Sequence, residues 1–432
     1  MSKIPFLQLN EQSITKLQYI TIMICFLMNV LDGMDVLIIS YCAPAIATSW
    51  QIGPEALGIV FSVGLAGMAL GALVIAPYAD HIGRKKMILI SAFLMGASVF
   101  CTGFAQTVPQ LILLRLLSGL GIGSMLATTA SLTSEYLPNR SKDFWVSFVL
   151  AGYPIGAIIV GYVAASVIPV SGWRMMFKLA GIASLVTIPI IFFFLSESIE
   201  FYLSKQPRNA LQKVNRILEK LKVSPLSELP NKSNKSLIIS VDQLLSNTYR
   251  ISTLKLWTAL FFAFGCLYFL ISWIPKLATN AGLSMELAIY SGTVFNVGAF
   301  FGIVVQGYIS SKIGLKKTIA FFLGTTAFLM AIFNVFVGSD FILLIFGLLG
   351  FTLQGGFVGL YAVAARLYPA EFRTTGVGWA IGAGRLGGVL GPALGGILIG
   401  WGLSMSTNFM IFAVPAFLAG VVTYFISSKE IP

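Results

Sequence analysis

Four charged residues lie inside long apolar stretches of this 432-residue sequence: Asp32 and Asp35 in the first stretch, Arg115 in the fourth and Arg385 in the eleventh. A charge at the bilayer centre costs at least ~2.5 to 3.5 kcal/mol on insertion scales, so such a residue normally faces a partner or an aqueous pathway. The spacing of the two aspartates puts both carboxylates on one face of a helix. An Asp/Arg couple there can change its protonation when the pairing geometry changes. We therefore assign Asp32, Asp35 and Arg115 to proton coupling.

The composition indicates an integral membrane protein. Hydrophobic residues make up 57% and charged residues 10% of the chain, and the mean hydropathy is +0.89, whereas about 25% of the residues of an average soluble domain are charged. The net charge of +12 does not indicate a nucleic-acid partner. The basic residues lie in the polar breaks between apolar stretches and not on one amphipathic face, so they set the membrane topology instead.

Twelve apolar stretches are each close to the ~20 residues that cross the hydrocarbon as a helix. We number these predicted helices 1 to 12, and their approximate spans are 17–45, 55–79, 87–105, 109–131, 143–168, 175–195, 253–278, 284–310, 317–337, 340–363, 374–400 and 405–427. The stretches are too long for barrel strands and lack period-two alternation. The sequence thus predicts an all-α membrane protein.

The distribution of Lys and Arg predicts the orientation. With both termini on one side, the other side carries only Arg174, Lys178 and Lys276, and by the positive-inside rule both termini are cytoplasmic. The longest polar break divides the helices six and six. The predicted segments are a cytoplasmic N-terminus (1–16), a six-helix bundle (17–195), a cytoplasmic central loop (196–252), a second six-helix bundle (253–427) and a cytoplasmic tail (428–432).

The two halves also repeat. The sequence APYADHIGRKK at 76–86 aligns with GYISSKIGLKK at 307–317, which pairs Gly83 with Gly314 at an offset of 231 residues. The same offset pairs Pro138 with Pro369 and carries helix 5 onto helix 11. Internal repeats of this kind occur among secondary transporters. The predicted fold is therefore two pseudo-symmetric six-helix bundles.

On these motifs the chain resembles the major facilitator superfamily of transporters over nearly its whole length. The family's loop between helices 2 and 3 reads roughly G-x-x-x-D-R-x-G-R-R/K, and Asp80, Gly83, Arg84 and Lys85 match it. The resemblance implies that Asp80 caps or pairs near a helix end of the other half in the outward-open state. We assign these four residues and Glu135 to gating. The alternative is that the basic residues of the loop only enforce topology.

Glycines provide a second pattern. Helix 5 carries Gly152 and Gly156, and helix 11 carries Gly387, Gly391 and Pro392. In lipid, small residues let helices approach closely, and neighbouring helices satisfy the carbonyls that proline frees. We expect these residues to form helix-packing contacts between the two halves, in preference to a direct substrate role.

The sequence of helix 1 indicates which groups within the superfamily the chain resembles. The segment GMDVLIIS resembles the start of helix 1 in proton-coupled sugar porters, where an Asp pairs with a helix 4 Arg, as Asp35 and Arg115 would here. The D-G-x-D pattern and the stretch GWAIGAGRLGGVLGP around Arg385 resemble more closely the aromatic acid:proton symporters. That resemblance implies that Asp32 and Asp35 carry the proton and that Arg385 meets a substrate carboxylate. The alternatives are that Asp32 pairs permanently with an arginine, or that Arg385 fixes helix 11 against a backbone carbonyl.

Aromatic and amide side chains would complete a cavity for a planar anion. We assign Tyr153, Asn296, Gln354 and Trp379 to substrate binding, and Tyr268, Trp273 and Tyr361 belong to the wider candidate set. Because the chain holds 34 Phe, 14 Tyr and 7 Trp, the alternative for each single aromatic residue is packing or interfacial anchoring.

Other chemistries have little support. His81, the only histidine, lies in a predicted cytoplasmic loop, so we expect no Ser/His/Asp set and no histidine metal cluster. No Walker loop is present to bind ATP. We expect no enzyme activity, no metal and no cofactor, with a proton gradient as the energy source.

The sequence therefore predicts a monomeric secondary transporter, a multi-pass protein of the bacterial inner membrane. Its partners would be protons, a small-molecule substrate and the lipid bilayer. The favoured function is proton symport of a small organic anion, an aromatic carboxylate. The alternatives are a proton-coupled carrier for a sugar, polyol or other metabolite, an exporter, and a membrane sensor that keeps the fold without transport.

Overall fold

The computed structural model describes residues 14–137, 145, 148–230, 244–339, 341–368 and 373–426. The aligned prolines Pro138 and Pro369 and most of both terminal segments lie outside these residues. The long helices of the described part are Lys16–Trp50 (helix 1), Pro54–Leu70 continued to Ile82 (helix 2), Arg84–Thr102 (helix 3), Val108–Tyr136 (helix 4), Gly152–Phe194 (helices 5 and 6), Arg250–Asn280 (helix 7), Met285–Ile313 (helix 8), Leu315–Ala331 (helix 9), Ile342–Leu367 (helix 10), Arg373–Gly400 (helix 11) and Met405–Tyr424 (helix 12).

The number of membrane crossings depends on one glycine. Helices 5 and 6 form a single run of 43 residues, about 65 Å at 1.5 Å per residue, which is twice the hydrocarbon thickness. Gly172 interrupts this run with φ 76° and ψ 168°, a backbone conformation that an L side chain rarely adopts, and the chain reverses there. With helix 9, which has 17 residues, the described part of the chain contains twelve crossing segments. This confirms the predicted all-helical fold.

The aligned loops of the internal repeat share the same backbone conformation at one glycine. Gly83 separates helices 2 and 3 with φ 105° and ψ 144°, and Gly314 separates helices 8 and 9 with φ 94° and ψ 143°. Both residues adopt positive φ, so both turns need glycine. The aligned loop motifs are therefore the same sharp turn in each half.

The segment between the two halves contains two short helices, Ile199–Lys205 and Ala210–Lys220. The second is amphipathic, with Val214, Ile217 and Leu218 buried and its charged side chains exposed. We call the end of the bundle that carries Lys16, Arg84 and this segment the basic end, and the other end the opposite end.

Glycines bring helices into backbone contact within each half. A Cβ at Gly156 would overlap the carbonyl oxygen of Val30 in helix 1, and a Cβ at Gly387 would overlap that of Phe261 in helix 7. The two contacts are related by the same 231-residue offset as the loops. Our expectation that these glycines join the two halves is therefore wrong, because Gly156 faces helix 1 and Gly387 faces helix 7, each within its own half.

Gly152 and Gly391, like Gly156 and Gly387, pack against a helix of their own half. A Cβ at Gly152 would approach the Phe26 carbonyl oxygen at 2.7 Å, and one at Gly391 would overlap the Gly265 carbonyl oxygen. Pro392 differs, since a Cβ on Gly58 of helix 2 would lie 3.0 Å from its carbonyl oxygen. Of the five predicted packing residues, Pro392 alone lies at the contact between the halves.

The contact between the halves lies towards the opposite end. Gly58 of helix 2 crosses Gly396 of helix 11, and Ser62 Oγ donates a hydrogen bond to the Val389 carbonyl oxygen at 2.6 Å. Ser40 Oγ of helix 1 lies 2.6 Å from the Ile271 carbonyl oxygen of helix 7. At the basic end, large side chains such as Tyr78 and Tyr308 are exposed on the two halves. The close contacts described between the halves therefore gather towards the opposite end.

We predict that Gly156→Ala destabilises the protein by about 1 to 3 kcal/mol, because the new Cβ must push helix 5 away from helix 1. Gly307→Ala in helix 8 is the matched control, since a Cβ there has nothing within 4 Å. Replacing this glycine should be neutral or stabilising by up to ~1 kcal/mol. Thermal unfolding of the purified variants measures the difference, and equal midpoints for the two variants would contradict the packing assignment.

Candidate functional site

Asp35 and Arg115 form an ion pair in the interior of the first half. Arg115 Nη2 donates to Asp35 Oδ1 at 2.9 Å and Nη1 donates to the Asp35 carbonyl oxygen at 3.3 Å. Each side chain is 3% exposed, and the guanidinium lies 5.3 Å from the ring centre of Phe177 in helix 6. The structure thus brings together the two residues that the sequence paired. The ion pair links helices 1 and 4 of the same half.

Asp32 lies near a different arginine. Its side chain is 2% exposed and interacts electrostatically with Arg385 of helix 11, in the other half. No guanidinium nitrogen of Arg385 lies within 4.0 Å of an Asp32 carboxylate oxygen, so the two residues do not form an ion pair. In this conformation Asp32 is therefore not permanently paired with an arginine, which was one of the alternatives. Each of the two aspartates has its own arginine, one within its half and one across the contact between the halves.

Three tyrosines lie in electrostatic range of Arg385, and two of them, Tyr153 and Tyr268, are also in range of Asp32. Tyr153 of helix 5, Tyr268 of helix 7 and Tyr361 of helix 10 all interact electrostatically with Arg385. The Tyr153 hydroxyl is buried and has no hydrogen-bond partner among the described residues. This arrangement offers one cation, one acid and three phenols between the two halves, a set that suits a small anion with an aromatic ring.

The Gly33 of the Asp-Gly-Met-Asp sequence explains how Tyr153 reaches Asp32. A Cβ at Gly33 would overlap the carbonyl oxygen of Tyr153, so helix 5 can approach helix 1 here only because residue 33 is glycine. Sequence reasoning assigned no role to this glycine, although its place between the two aspartates was a usable signal.

Aromatic rings pack behind the tyrosines. Phe264 stacks on Tyr268 with ring centroids 5.9 Å apart, and it meets Tyr361 edge to face at 6.5 Å. Gln354 is buried on helix 10, two turns before Tyr361 and on the same helix face. Helices 7 and 10 therefore supply an aromatic and amide wall to the site.

Asn296 lies at another part of the contact between the halves. Its Nδ2 donates to the Gly292 carbonyl oxygen at 2.9 Å, and its Oδ1 is buried without a hydrogen-bond partner among the described residues. Tyr41 of helix 1 lies beside Asn296 and donates to the Ala157 carbonyl oxygen at 3.3 Å. Tyr41 thus connects helices 1, 5 and 8, and nothing in the sequence distinguishes it from the other tyrosines.

Trp379 is not with the other predicted substrate residues. Its side chain is 48% exposed and stacks on Trp257 of helix 7, with ring centroids 6.1 Å apart. It shares a face of helix 11 with the exposed Leu386 and Leu390. Because Trp379 is half exposed and lies on the same helix face as these exposed leucines, we remove it from the predicted substrate set and place it on the outer, lipid-facing surface.

The predicted gating residues gather at the basic end around Arg84. Arg84 forms ion pairs with Glu135, with Glu200 at 3.4 Å and with Asp80 at 3.6 Å. The Asp80 side chain is 69% exposed and has its ion pair within its own half. The pairing of Asp80 with the other half, expected for the outward-open state, is not present among the described residues of this conformation.

The segment after helix 6 completes this network. Glu197 Oε1 accepts a hydrogen bond from the backbone N–H of Lys85 at 2.9 Å, and a Cβ at Gly83 would overlap Glu197. The Glu135 carboxylate accepts from Ser198 Oγ at 2.5 Å. Sequence reasoning missed Glu197 and Glu200, whose signal was their position at the end of a membrane helix and beside a strongly basic loop.

Comparison with known proteins identifies the family. The sequence model of the Major Facilitator Superfamily matches residues 25–346 and 256–432. The chain belongs to the Major Facilitator Superfamily. It is 31% identical over 420 residues to the gallate transporter of Pseudomonas putida, covering 96% of this chain and 92% of that protein. It is also 31% identical over 421 residues to a 4-hydroxybenzoate transporter of Pseudomonas aeruginosa, covering 95% and 93%.

A solved structure shows the same fold. The crystal structure of a D-xylose-proton symporter superposes with a TM-score of 0.72 at 18% identity, covering 96% of this chain and 98% of that chain. At this level of identity the likeness concerns the fold alone. This member of the Major Facilitator Superfamily is thus a multi-pass membrane transporter and not an enzyme, and it is similar to aromatic acid transporters of that superfamily. No cluster of His, Cys, Asp and Glu side chains suited to a metal ion occurs in the described ranges.

We predict strong coupling between Asp35 and Arg115. Arg115→Gln should destabilise the protein by about 3 to 5 kcal/mol, because it leaves the Asp35 carboxylate buried without its cation. The double variant Asp35→Asn/Arg115→Gln removes both charges and should lose less stability than Arg115→Gln alone. Thermal unfolding of the wild type, both single variants and the double variant completes the cycle. If the double variant loses the sum of the two single losses, the ion pair has no energetic role.

Proposed function

We propose that this transporter is a proton symporter that imports a small organic anion, specifically an aromatic carboxylate. The observation that carries the proposal is the position of Arg385 and Asp32 on opposite halves, in electrostatic range but not in an ion pair, among three tyrosines. An anion that binds Arg385 would lie beside Asp32 and within reach of aromatic rings. The relatives named for gallate and 4-hydroxybenzoate support an aromatic substrate.

Arg385 would bind the substrate carboxylate. A guanidinium presents parallel N–H donors that match the two oxygens of a carboxylate, and its charge offsets the cost of placing the anion at this depth. Tyr268 and Tyr361 would contact the planar ring, and Gln354 would add an amide donor and acceptor. Because these groups come from helices 7, 10 and 11 while Asp32 comes from helix 1, a bound anion would contact both halves.

The proton would be held by the coupled pair Asp32 and Asp35. When the substrate carboxylate occupies Arg385, it lies near Asp32 as a second negative charge, and the repulsion favours a proton on the aspartate side chains. Arg115 stabilises one of the two carboxylates in its ionised form, so we expect one exchangeable proton per cycle, shared by the pair. Substrate and proton would then bind together and leave together.

The described conformation fits the inward-facing step of this cycle. Under the positive-inside rule the basic end is cytoplasmic, and the close contacts described between the halves lie towards the opposite end. In this proposal both termini are cytoplasmic, the protein acts as a monomer in a bacterial inner membrane, and the proton gradient is the only energy source. Separation of the halves at the opposite end would expose the same site to the outside.

Uptake into proteoliposomes tests the proposal. With an imposed pH gradient, acid outside, the wild type should accumulate labelled 4-hydroxybenzoate or gallate, and Asp35→Asn should lose this accumulation. Exchange of internal for external label should persist in Asp35→Asn, because asparagine keeps the size and polarity of the side chain but cannot bind the proton. The Glu286→Gln variant is the matched control, since Glu286 is exposed at the start of helix 8 and away from the site.

Four results would overturn all or part of this proposal. Accumulation by Asp35→Asn at the wild-type rate would remove Asp35 from proton coupling. Binding of the label without any accumulation by the wild type would favour a sensor. Counterflow without gradient-driven uptake would favour an exporter, and accumulation of a sugar or polyol instead of the acids would change the substrate class.

The charge moved per cycle gives an independent test. One monoanion with one proton moves no net charge, whereas two protons would move one positive charge inward and gain ~2.3 kcal/mol per 100 mV of inside-negative potential. We expect the steady-state accumulation ratio to depend on the pH gradient and not on a clamped membrane potential. A ratio that rises with inside-negative potential at fixed pH gradient would mean that both aspartates carry protons.

A further inference from the structure

A small cavity lies beside the Asp35–Arg115 ion pair, on the side that faces helix 2. It has room for about two water molecules. Helices 1, 2, 4 and 7 line it, and the lining residues that matter here are Asp35, Gly64, Arg115, Ser118, Tyr268 and Ser272. We call it the side cavity. It is distinct from the surroundings of Arg385, because Arg385, Asp32 and Tyr153 do not line it.

Two buried polar atoms of the ion pair lack a partner. Asp35 Oδ2 and Arg115 Nε make no hydrogen bond within the described part of the chain, although both side chains are 3% exposed. Buried polar atoms are almost always hydrogen-bonded, and polar cavities of this size hold ordered water when two to four polar groups line them. The chemistry of the lining therefore fits water, with one carboxylate oxygen as acceptor and one guanidinium N–H as donor.

The side cavity lies next to the contact between the halves. Phe61, which lines it, meets Trp273 of helix 7 edge to face with ring centroids 5.1 Å apart. Trp273 Nε1 donates to the Pro392 carbonyl oxygen at 2.9 Å. The side cavity therefore adjoins the packing of helix 2 against helices 7 and 11, where the two halves meet.

Tyr268 lies between the side cavity and the substrate site. It lines the cavity, and it also interacts electrostatically with Asp32 and Arg385. The charged and titratable groups around Asp35 are Arg115 from helix 4, Asp32 and Cys42 from helix 1, Tyr268 from helix 7, and, through Asp32, Tyr153 from helix 5 and Arg385 from helix 11. The lining residues of helix 2 are uncharged.

We propose that the side cavity is a water site through which the proton reaches Asp35, separate from the route of the substrate. A hydronium ion in the cavity transfers a proton to Asp35 Oδ2, which leaves water and a neutral carboxyl group. Arg115 keeps its charge and loses its anionic partner. The inference rests on the proposed function, since it names the route of the proton used there.

Gly64 offers a way to fill the side cavity. A Cβ at Gly64 would lie 3.8 Å from the Arg115 carbonyl oxygen, which is ordinary van der Waals contact, so the backbone there tolerates a side chain. Gly64→Leu would extend into the space of the water molecules. Val60→Phe fills the same cavity from one turn earlier on helix 2 and serves as the second variant should Gly64→Leu not fold.

The experiment follows protonation of Asp35 directly. After a pH drop, the carboxyl infrared band that is absent in Asp35→Asn reports Asp35, and the band absent in Asp32→Asn reports Asp32. Filling the cavity should slow the appearance of the Asp35 band at least ~10-fold. Proton transfer needs a donor within hydrogen-bond reach or one water molecule away, and the filled cavity would leave no room for that water. The rate of the Asp32 band should change much less. Gly307→Leu, with open space at its Cβ, is the matched control and should protonate Asp35 at the wild-type rate.

The outcomes separate this inference from the proposed function. Wild-type protonation rates for Asp35 in both cavity-filling variants would overturn the side cavity as the proton route, even if the wild type accumulates aromatic acids. Equal slowing of the Asp32 and Asp35 bands would also overturn it, since a shared route would then serve both. A selective slowing at Asp35 would support the side cavity even if neither 4-hydroxybenzoate nor gallate is transported, because the infrared measurement needs no substrate.

Discussion

Two carboxylates one helical turn apart, in the apolar interior of helix 1, impose the constraint on which the rest of the structure depends. Each must find a cation or a proton, because an isolated charge is costly in this environment. Arg115 meets Asp35 within the first half, and Arg385 faces Asp32 from the second half. The Asp35 pair therefore moves with its own half. The electrostatic surroundings of Asp32 change whenever the halves move, which links the charge of helix 1 to the conformation.

This link requires halves that behave as rigid bodies, and glycine provides the rigidity. In lipid there is no hydrophobic force between helices, so close backbone packing has to hold them. Helix 5 lies on helix 1 at Gly156, and helix 11 lies on helix 7 at Gly387, in the same geometry. At Gly33 the same device brings Tyr153 to Asp32. The packing that stabilises the first half thus also builds the site.

The contact between the halves is of a different kind. Small residues cross at Gly58 and Gly396, while Ser62 contributes a single hydrogen bond to a backbone carbonyl. Such a contact packs closely but contains no ion pair among the residues described. The two halves can therefore separate and meet again at little cost. The side cavity next to Phe61 lies just below it. On the proposed proton route, opening this contact would therefore hydrate the Asp35–Arg115 pair.

The sequence by itself determined the helices, their number and the repeat, because hydrophobic length and turn glycines such as Gly83 and Gly314 act locally. It also identified the four charges within the membrane-spanning helices, because the cost of a charge in lipid does not depend on the fold. Tertiary structure decided the rest. Periodicity does not reveal which helix a glycine meets, so the expected role of Gly156 between the halves was wrong. Trp379 faces lipid, and Glu197 and Glu200 join Arg84, because long-range packing sets which side chains meet.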